Sequence, residues 1–255
     1  MSLYLYGLVE QPLSQELAAG AVCGEGAIRS EPVGSWFGLV SDTAETEILQ
    51  KRRHMLAHAK ALEEAMGLAT VLPARFGTVV ERLELLEAAL RPQSRWVEDA
   101  FGRVAGKAEY GVRIAWSREE AMRELVAAHP TLARRFEAIK HKPAAATHFE
   151  RIEIGREVGA LMEAARAEEE RRLVEALQGA FSEIRVQPYE EDVQVLKAEL
   201  LLPVSAEAAL FARLEAIEQE RPGRLAVRCV GPSPAYNFVR IRLGPELFSA
   251  APAAA

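Results

Sequence analysis

The apolar residues of this chain change period repeatedly, and the order of those changes limits the fold more than any total does. LYLYGLV at 3–9 is a short apolar run rich in aromatics, which predicts a buried strand. Residues 11–26 hold Pro12, Gly20, Gly24 and Gly26 and predict a loop. AIRSEPVGSWFGLVS at 27–41 predicts a strand broken near Pro32, because proline cannot donate to a ladder. From Thr43 to Met66 the period becomes helical. Ile48, Met55, Leu62 and Met66 make a stripe widened by Leu49, Leu56 and Ala59, and Gly67 follows as a C′ residue.

TVLPARFGTVV at 70–80 returns to alternation. Leu72, Ala74 and Phe76 form an apolar face, and Pro73, Arg75 and Gly77 form the other. Helical segments follow at 81–90 and 94–106, then AEYGVRIAW at 108–116 alternates again. Tyr110, Val112 and Ile114 face one side of that strand; Glu109, Gly111 and Arg113 face the other. If the strands holding Arg75 and Glu109 are neighbours, the two charges form a cross-strand pair.

Residues 117–181 carry helical spacing throughout. Ser117 is the expected N-cap of REEAMRELVAA, and TLARRFEAIK is a second helix. Thr147 and Glu150 fit a capping box ahead of a long helix whose apolar positions run from Ile152 to Leu177. The last part predicts a strand at 193–204, a helix at 206–223, and strands at 224–232 and 236–243. The expected fold class is α+β with two lobes. Residues 1–116 make an N-terminal modified ferredoxin-like α/β sandwich, and residues 117–248 make a C-terminal helical plus small α/β lobe (β-α-β-β). The alanine-rich residues 249–255 predict a disordered tail.

With 31 basic against 37 acidic residues, the net charge is −6, and no segment carries a basic cluster. That balance gives no reason to expect nucleic-acid binding. No stretch reaches the ~18 apolar residues of a membrane helix, and the opening MSLYLYGLVEQ lacks a charged leader. Cys23 and Cys229 read as free thiols of a reducing cytoplasm, with a disulfide as the alternative, since separation in sequence does not fix separation in space.

Catalytic and metal signatures are sparse. GEGAIR at 24–29 lacks the third glycine of a phosphate-binding loop. His54 and His58 stand at i and i+4 without the intervening glutamate of H-E-x-x-H, and both fall toward the polar edge of the helical stripe. His129, His141 and His148 fall at loops and helix ends. The carboxylates lie mainly in helical runs such as AEEER, a solvated face. These residues predict no cofactor and no metal.

Four stretches taken together carry a family resemblance: LYLYGLV, VLPARFGTVV, GKAEYGVRI at 106–114 and the closing GPSPAYNFVRIRL. In this order and spacing the chain resembles the gas vesicle protein F/L family over nearly its whole length. Tyr110 stands where that family more often has tryptophan. The resemblance implies an accessory or minor structural protein of gas vesicles, without catalysis. It would be cytoplasmic or on the vesicle, and would act in assembly with the hydrophobic major shell protein and other accessory proteins, not with a lipid membrane. Two surfaces then become candidates for partner binding, with holding the two lobes together as the competing role of the same residues: the sheet face around Pro73, Arg75, Gly77, Glu109 and Gly111, and the long helix from Ile152 to Leu173. The alternative is a cytoplasmic enzyme on a ferredoxin-like scaffold with its site between the lobes.

Overall fold

The computed structural model describes residues 2–23 and 26–244. The predicted tail at 249–255 and the first two residues of GEGAIR lie outside them. Two antiparallel sheets and the helices around them divide into two contact units. The first runs through Glu109 and resumes at Gly231; the second is Tyr110–Val230.

The sheet of the first unit is ordered β2-β3-β1-β4, with β5 also on β1. Strand β1 (Ser2–Val9) is buried along almost its whole length. A hairpin joins β2 (Arg29–Val33) to β3 (Trp36–Thr43) through Gly34 and Ser35, and Gly34 takes a φ of 61° that a side-chain-bearing residue resists. Pro32 is tolerated because β2 is an edge strand. The pairing of β1 with β3 slips between Leu5 and Gly7. That bulge moves the alternation by one residue, so Tyr4, Tyr6 and Val9 share one core cluster. Leu17, Ala19, Val22 and Ile28 from the long β1–β2 connection complete it.

Helix α1 (Arg52–Met66) covers that cluster, but not with the stripe its sequence predicts. His58, Ala61, Leu62 and Ala65 are buried, while Met55 is 50% and Leu56 58% exposed. The helix is turned so that two alanines approach the sheet closely and an imidazole reaches a tyrosine hydroxyl. It also starts later than Thr43, which pairs with Ser2 as the end of β3. Gly67 closes it in the right-handed region, its N–H bonding Glu63 O and Glu64 O, instead of as a left-handed C′ residue. Helices α2 (Leu83–Leu90) and α3 (Ser94–Val104) bury Leu86, Leu90, Val97 and Phe101.

In the second unit the sheet is ordered β7-β8-β6-β9. Its strands are β6 (Lys107–Trp116), β7 (Glu183–Val186), β8 (Gln194–Pro203) and β9 (Leu225–Ser233). Between β6 and β7 stand α4 (Arg118–Ala128), α5 (Pro130–Lys140) and α6 (His148–Leu177). Helix α7 (Glu207–Glu220) links β8 to β9. Leu173 and Leu177 of α6 and Leu210, Leu214 and Ile217 of α7 are buried with the apolar residues of β8. Leu125, Leu132, Ile139 and Ile154 form a separate small cluster among α4, α5 and the start of α6.

Ser117 does cap α4, accepting from the Glu120 N–H at 3.4 Å. The capping box at Thr147 does not form. Its hydroxyl donates to Pro143 O and accepts from Arg151 Nε, so α6 begins without a side-chain cap. The strand expected at 236–243 is absent too. Phe238 N and Val239 N both turn back onto Ala235 O, a turn that takes the donors a ladder would need.

Candidate functional site

The stretch 70–80 is not one strand. Val71–Pro73 (β4) and Val79–Val80 (β5) each pair antiparallel with β1, but the register steps from Gly7↔Pro73 to Tyr4↔Val79. Leu5 and Tyr6 therefore face the whole of 74–78, and the surplus residues loop out. Arg75 O accepts from both Thr78 N and Thr78 Oγ1, closing a tight turn, and Gly77 takes a φ of 84° inside it. The chain stays tied to the sheet on both sides, through Ala74 N to Tyr6 O and Leu5 N to Thr78 O.

Beneath this turn lies an aromatic floor. Tyr4, Tyr6, His58 and Phe76 make ring contacts with centroids 4.8–6.4 Å apart. Gly77 N–H donates to Tyr4 OH at 3.2 Å, and Tyr4 OH lies 2.8 Å from His58 Nδ1. The tyrosine proton therefore goes to Nδ1, and the neutral imidazole carries its own proton on Nε2. Burial pulls the His58 pKa down to about 4; the Ala74 backbone opposes that weakly, without completing a hydrogen bond to Nε2. Burial likewise pushes the Tyr4 hydroxyl well above its ordinary range. Tyr6 OH meets Ser41 Oγ and receives Val22 N–H, so the floor is nearly satisfied in polar terms.

Above the floor opens a groove of about 1250 Å³. Helix α1 supplies Met55 and Ala59, the β4–β5 segment supplies Pro73 to Val79, and residues 236–244 form the far wall. That wall is held by neighbours in its own unit. Gln93 Nε2 donates to Arg242 O at 2.7 Å, Arg103 Nη1 to Phe238 O at 3.2 Å, and the Glu109 carboxylate accepts from Asn237 N and Nδ2. Arg75, Arg240 and Arg242 are exposed at the groove, with Glu47 as its carboxylate. None of the three arginines belongs to an ion pair among the described residues.

Pro73, Arg75 and Gly77, singled out from the sequence, thus line one groove; Glu109 and Gly111 do not. The cross-strand pair of Arg75 and Glu109 does not form, because β4 and β6 belong to different sheets. Glu109 is buried and ties down Asn237. Gly111 leaves space for Glu199: a Cβ there would stand 2.8 Å from Glu199 Oε2, while Oε1 of the same carboxylate pairs with Arg113 Nη2 at 2.6 Å. Of the other lining residues, the sequence places Met55 in the apolar stripe of its helix and His58 on a solvated edge, and does not single out Tyr236, Arg240 and Arg242. The closing stretch GPSPAYNFVRIRL pointed at the last three, but alternation made them a strand.

The expected second surface is partly open. Ile152 of α6 is 40% exposed and Phe149 81%, whereas Leu173 is fully buried. Cys23 and Cys229 are free thiols, both pushed up by burial, Cys229 to about 11. Their sulfurs are therefore poor nucleophiles at neutral pH. His54 is occupied by Leu49 O and Arg53 Nε. Among the described residues no group of three or more His, Cys, Asp or Glu side chains could hold a metal ion, and no helix is long and apolar enough to cross a membrane.

Comparison with known proteins agrees with this architecture. The gas vesicle synthesis protein GvpL/GvpF family matches residues 2–240. Gas vesicle protein F of Microcystis aeruginosa (strain PCC 7806) is 25% identical over 94% of this chain and 99% of its own length. That of Nostoc sp. (strain PCC 7120) is 26% identical over 94% and 98%. The crystal structure of GvpF from Anabaena sp. PCC7120 superposes with a TM-score of 0.82 at 23% identity, covering 95% of this chain and 99% of that one. The M. aeruginosa GvpF structure gives 0.77 at 25% identity over 93% and 98%. A family match spanning nearly every residue, on the same fold, leaves one assignment: the chain belongs to the GvpL/GvpF family of gas vesicle synthesis proteins.

Proposed function

We propose that this protein acts in gas vesicle assembly by binding the hydrophobic major shell subunit, in the cytoplasm or at the growing vesicle, together with other accessory proteins. It works by binding rather than by turnover. A subunit built to polymerise exposes apolar surface before it enters the wall, and a partner that covers this surface keeps it soluble. The observation that carries this reading is the groove of the first unit. It is open and mainly apolar, and it lies on a member of a gas vesicle family. Pro73 and Gly77 keep its sheet side low, and Arg75 offers a directional contact to whatever enters.

The same proposal reads the chain as two lobes, at 1–116 and 117–248, the first a modified ferredoxin-like sandwich. The strand order β2-β3-β1-β4 supports that description of the first lobe.

Co-expression with the major shell protein tests the proposal. Met55→Glu places a charge on the exposed groove wall, and Arg75→Ala removes the contact at the turn. Both should lower recovery of shell protein on the tagged chain several-fold, with thermal melting near that of the parent. Undiminished recovery from both variants would remove the groove from the mechanism, and no recovery even by the parent chain would remove shell binding itself.

A further inference from the structure

The edge of a sheet ordinarily recruits partners by adding a strand. The edge at this groove is built against that use. Pro73 has no N–H to offer, and residues 75–78 leave the strand as a closed turn whose carbonyl acceptor at Arg75 is already taken. The remaining mode for a polypeptide is side-chain packing into the trough. Its volume of about 1250 Å³ exceeds the ~300–1,000 Å³ usual for small-molecule sites.

Charge then narrows the occupant. The chain as a whole is acidic, with a net charge of −6. Around this groove the balance inverts: among the described residues that line it, Arg75, Arg240 and Arg242 stand against one carboxylate, Glu47. All three guanidinium groups stand exposed, and none is neutralised by an ion pair among the described residues. Two of them come from residues 236–244 and one from the turn, so two separate segments of the lining bring positive charge to the groove. We infer that the groove receives an amphipathic α-helix whose apolar stripe is bordered by carboxylates. The stripe would cover Met55, Phe76 and Ile241, and the carboxylates would meet the arginines. A basic or uncharged apolar helix would find the same floor and lose the flanking contacts. This inference rests on the shell-binding reading only for the identity of the partner in the cell.

Two synthetic amphipathic peptides with the same leucine–alanine stripe, one edged with glutamates and one with lysines, provide the test. Their binding to the full chain is followed by fluorescence anisotropy. The glutamate-edged peptide should bind about tenfold more tightly, the sum of a few exposed charge contacts. Raising the salt should erase that margin. The double variant Arg75→Glu/Arg240→Glu should reverse the preference while melting as the parent does. Equal binding of the two peptides, a preference the variant leaves unchanged, or a self-associated chain that neither peptide displaces would each overturn the inference. Loss of peptide discrimination with shell capture intact defeats only this inference. Discrimination without any shell capture defeats only the functional reading.

Discussion

The imidazole of His58 stacks on Tyr6 at 5.7 Å and meets Tyr4 and Phe76 edge-on, 3% exposed in all. From the sequence it reads as the partner of His54 on a solvated face, since histidine between apolar neighbours gives no sign of which way it points. Its true role depends on Tyr4, 54 positions earlier in the chain, and no local pattern carries that. The consequence is a pH dependence of definite sign. The folded protein holds His58 neutral down to about pH 4, whereas the unfolded chain protonates it near the ordinary histidine value of 6.5. Its contribution is therefore fully present above pH 6.5 and is lost as pH falls through that window to about 4. The folded protein should lose on the order of 3 kcal/mol across it from this residue. Urea unfolding of the parent and of His58→Gln at pH 7 and pH 4.5 checks the assignment. The parent should lose more stability than the variant over that interval, and equal losses would mean that His58 already titrates freely.

At the scale of elements, the packing of α1 on β1 explains most of what the sequence shows and what it hides. A helix at 52–66 is legible from its period. Its rotation is not, because Met55 and Leu56 outrank Ala61 and Ala65 in hydrophobicity, yet it is the alanines, with His58 and Leu62, that pack inward. Gly7 shows how little space there is. A Cβ added there would lie 2.6 Å from Leu72 O and 3.2 Å from both Leu62 Cδ2 and Val71 Cγ1. The first of these neighbours is backbone in a paired strand and cannot move aside cheaply. Gly7→Ala should therefore destabilise the protein by about 3 kcal/mol, at the upper end of overpacking, or prevent folding. Denaturant titration reads that loss directly, and a variant as stable as the parent would show that β1 and β4 can part without cost. The same close packing leaves Met55 at the groove. Met55, which its helical spacing assigns to the core, is thus among the residues that matter most for the candidate site.

At the scale of the whole chain, the two sheets repeat one connectivity. In each, the first strand lies third in the order, a hairpin supplies the first two positions, and a strand reached through a helix closes the far side: β2-β3-β1-β4 and β7-β8-β6-β9. The excursion after the first strand is an apolar-studded loop in one case and α4, α5 and α6 in the other. The sequence shows the similar order of elements, but not the pairing, which is decided by contacts far apart along the chain. The short strand β7 is not legible in the sequence because its EIRV, half-buried to exposed, has no buried face to mark it. Nor does the sequence show that the chain returns at Gly231 to the unit it left at Glu109. That return makes a prediction local to one unit. Asn237 holds the Glu109 carboxylate, and Phe238 is 3% exposed with its carbonyl bound by Arg103. Phe238→Ala should cost about 3–5 kcal/mol, as buried phenylalanines do. Hydrogen exchange should then show protection falling in β1, β4 and α3 while β8 and α7 keep theirs. Equal loss in β8 would mean that the two units unfold as one, and the segment that walls the groove could no longer be assigned to the stability of the first unit alone.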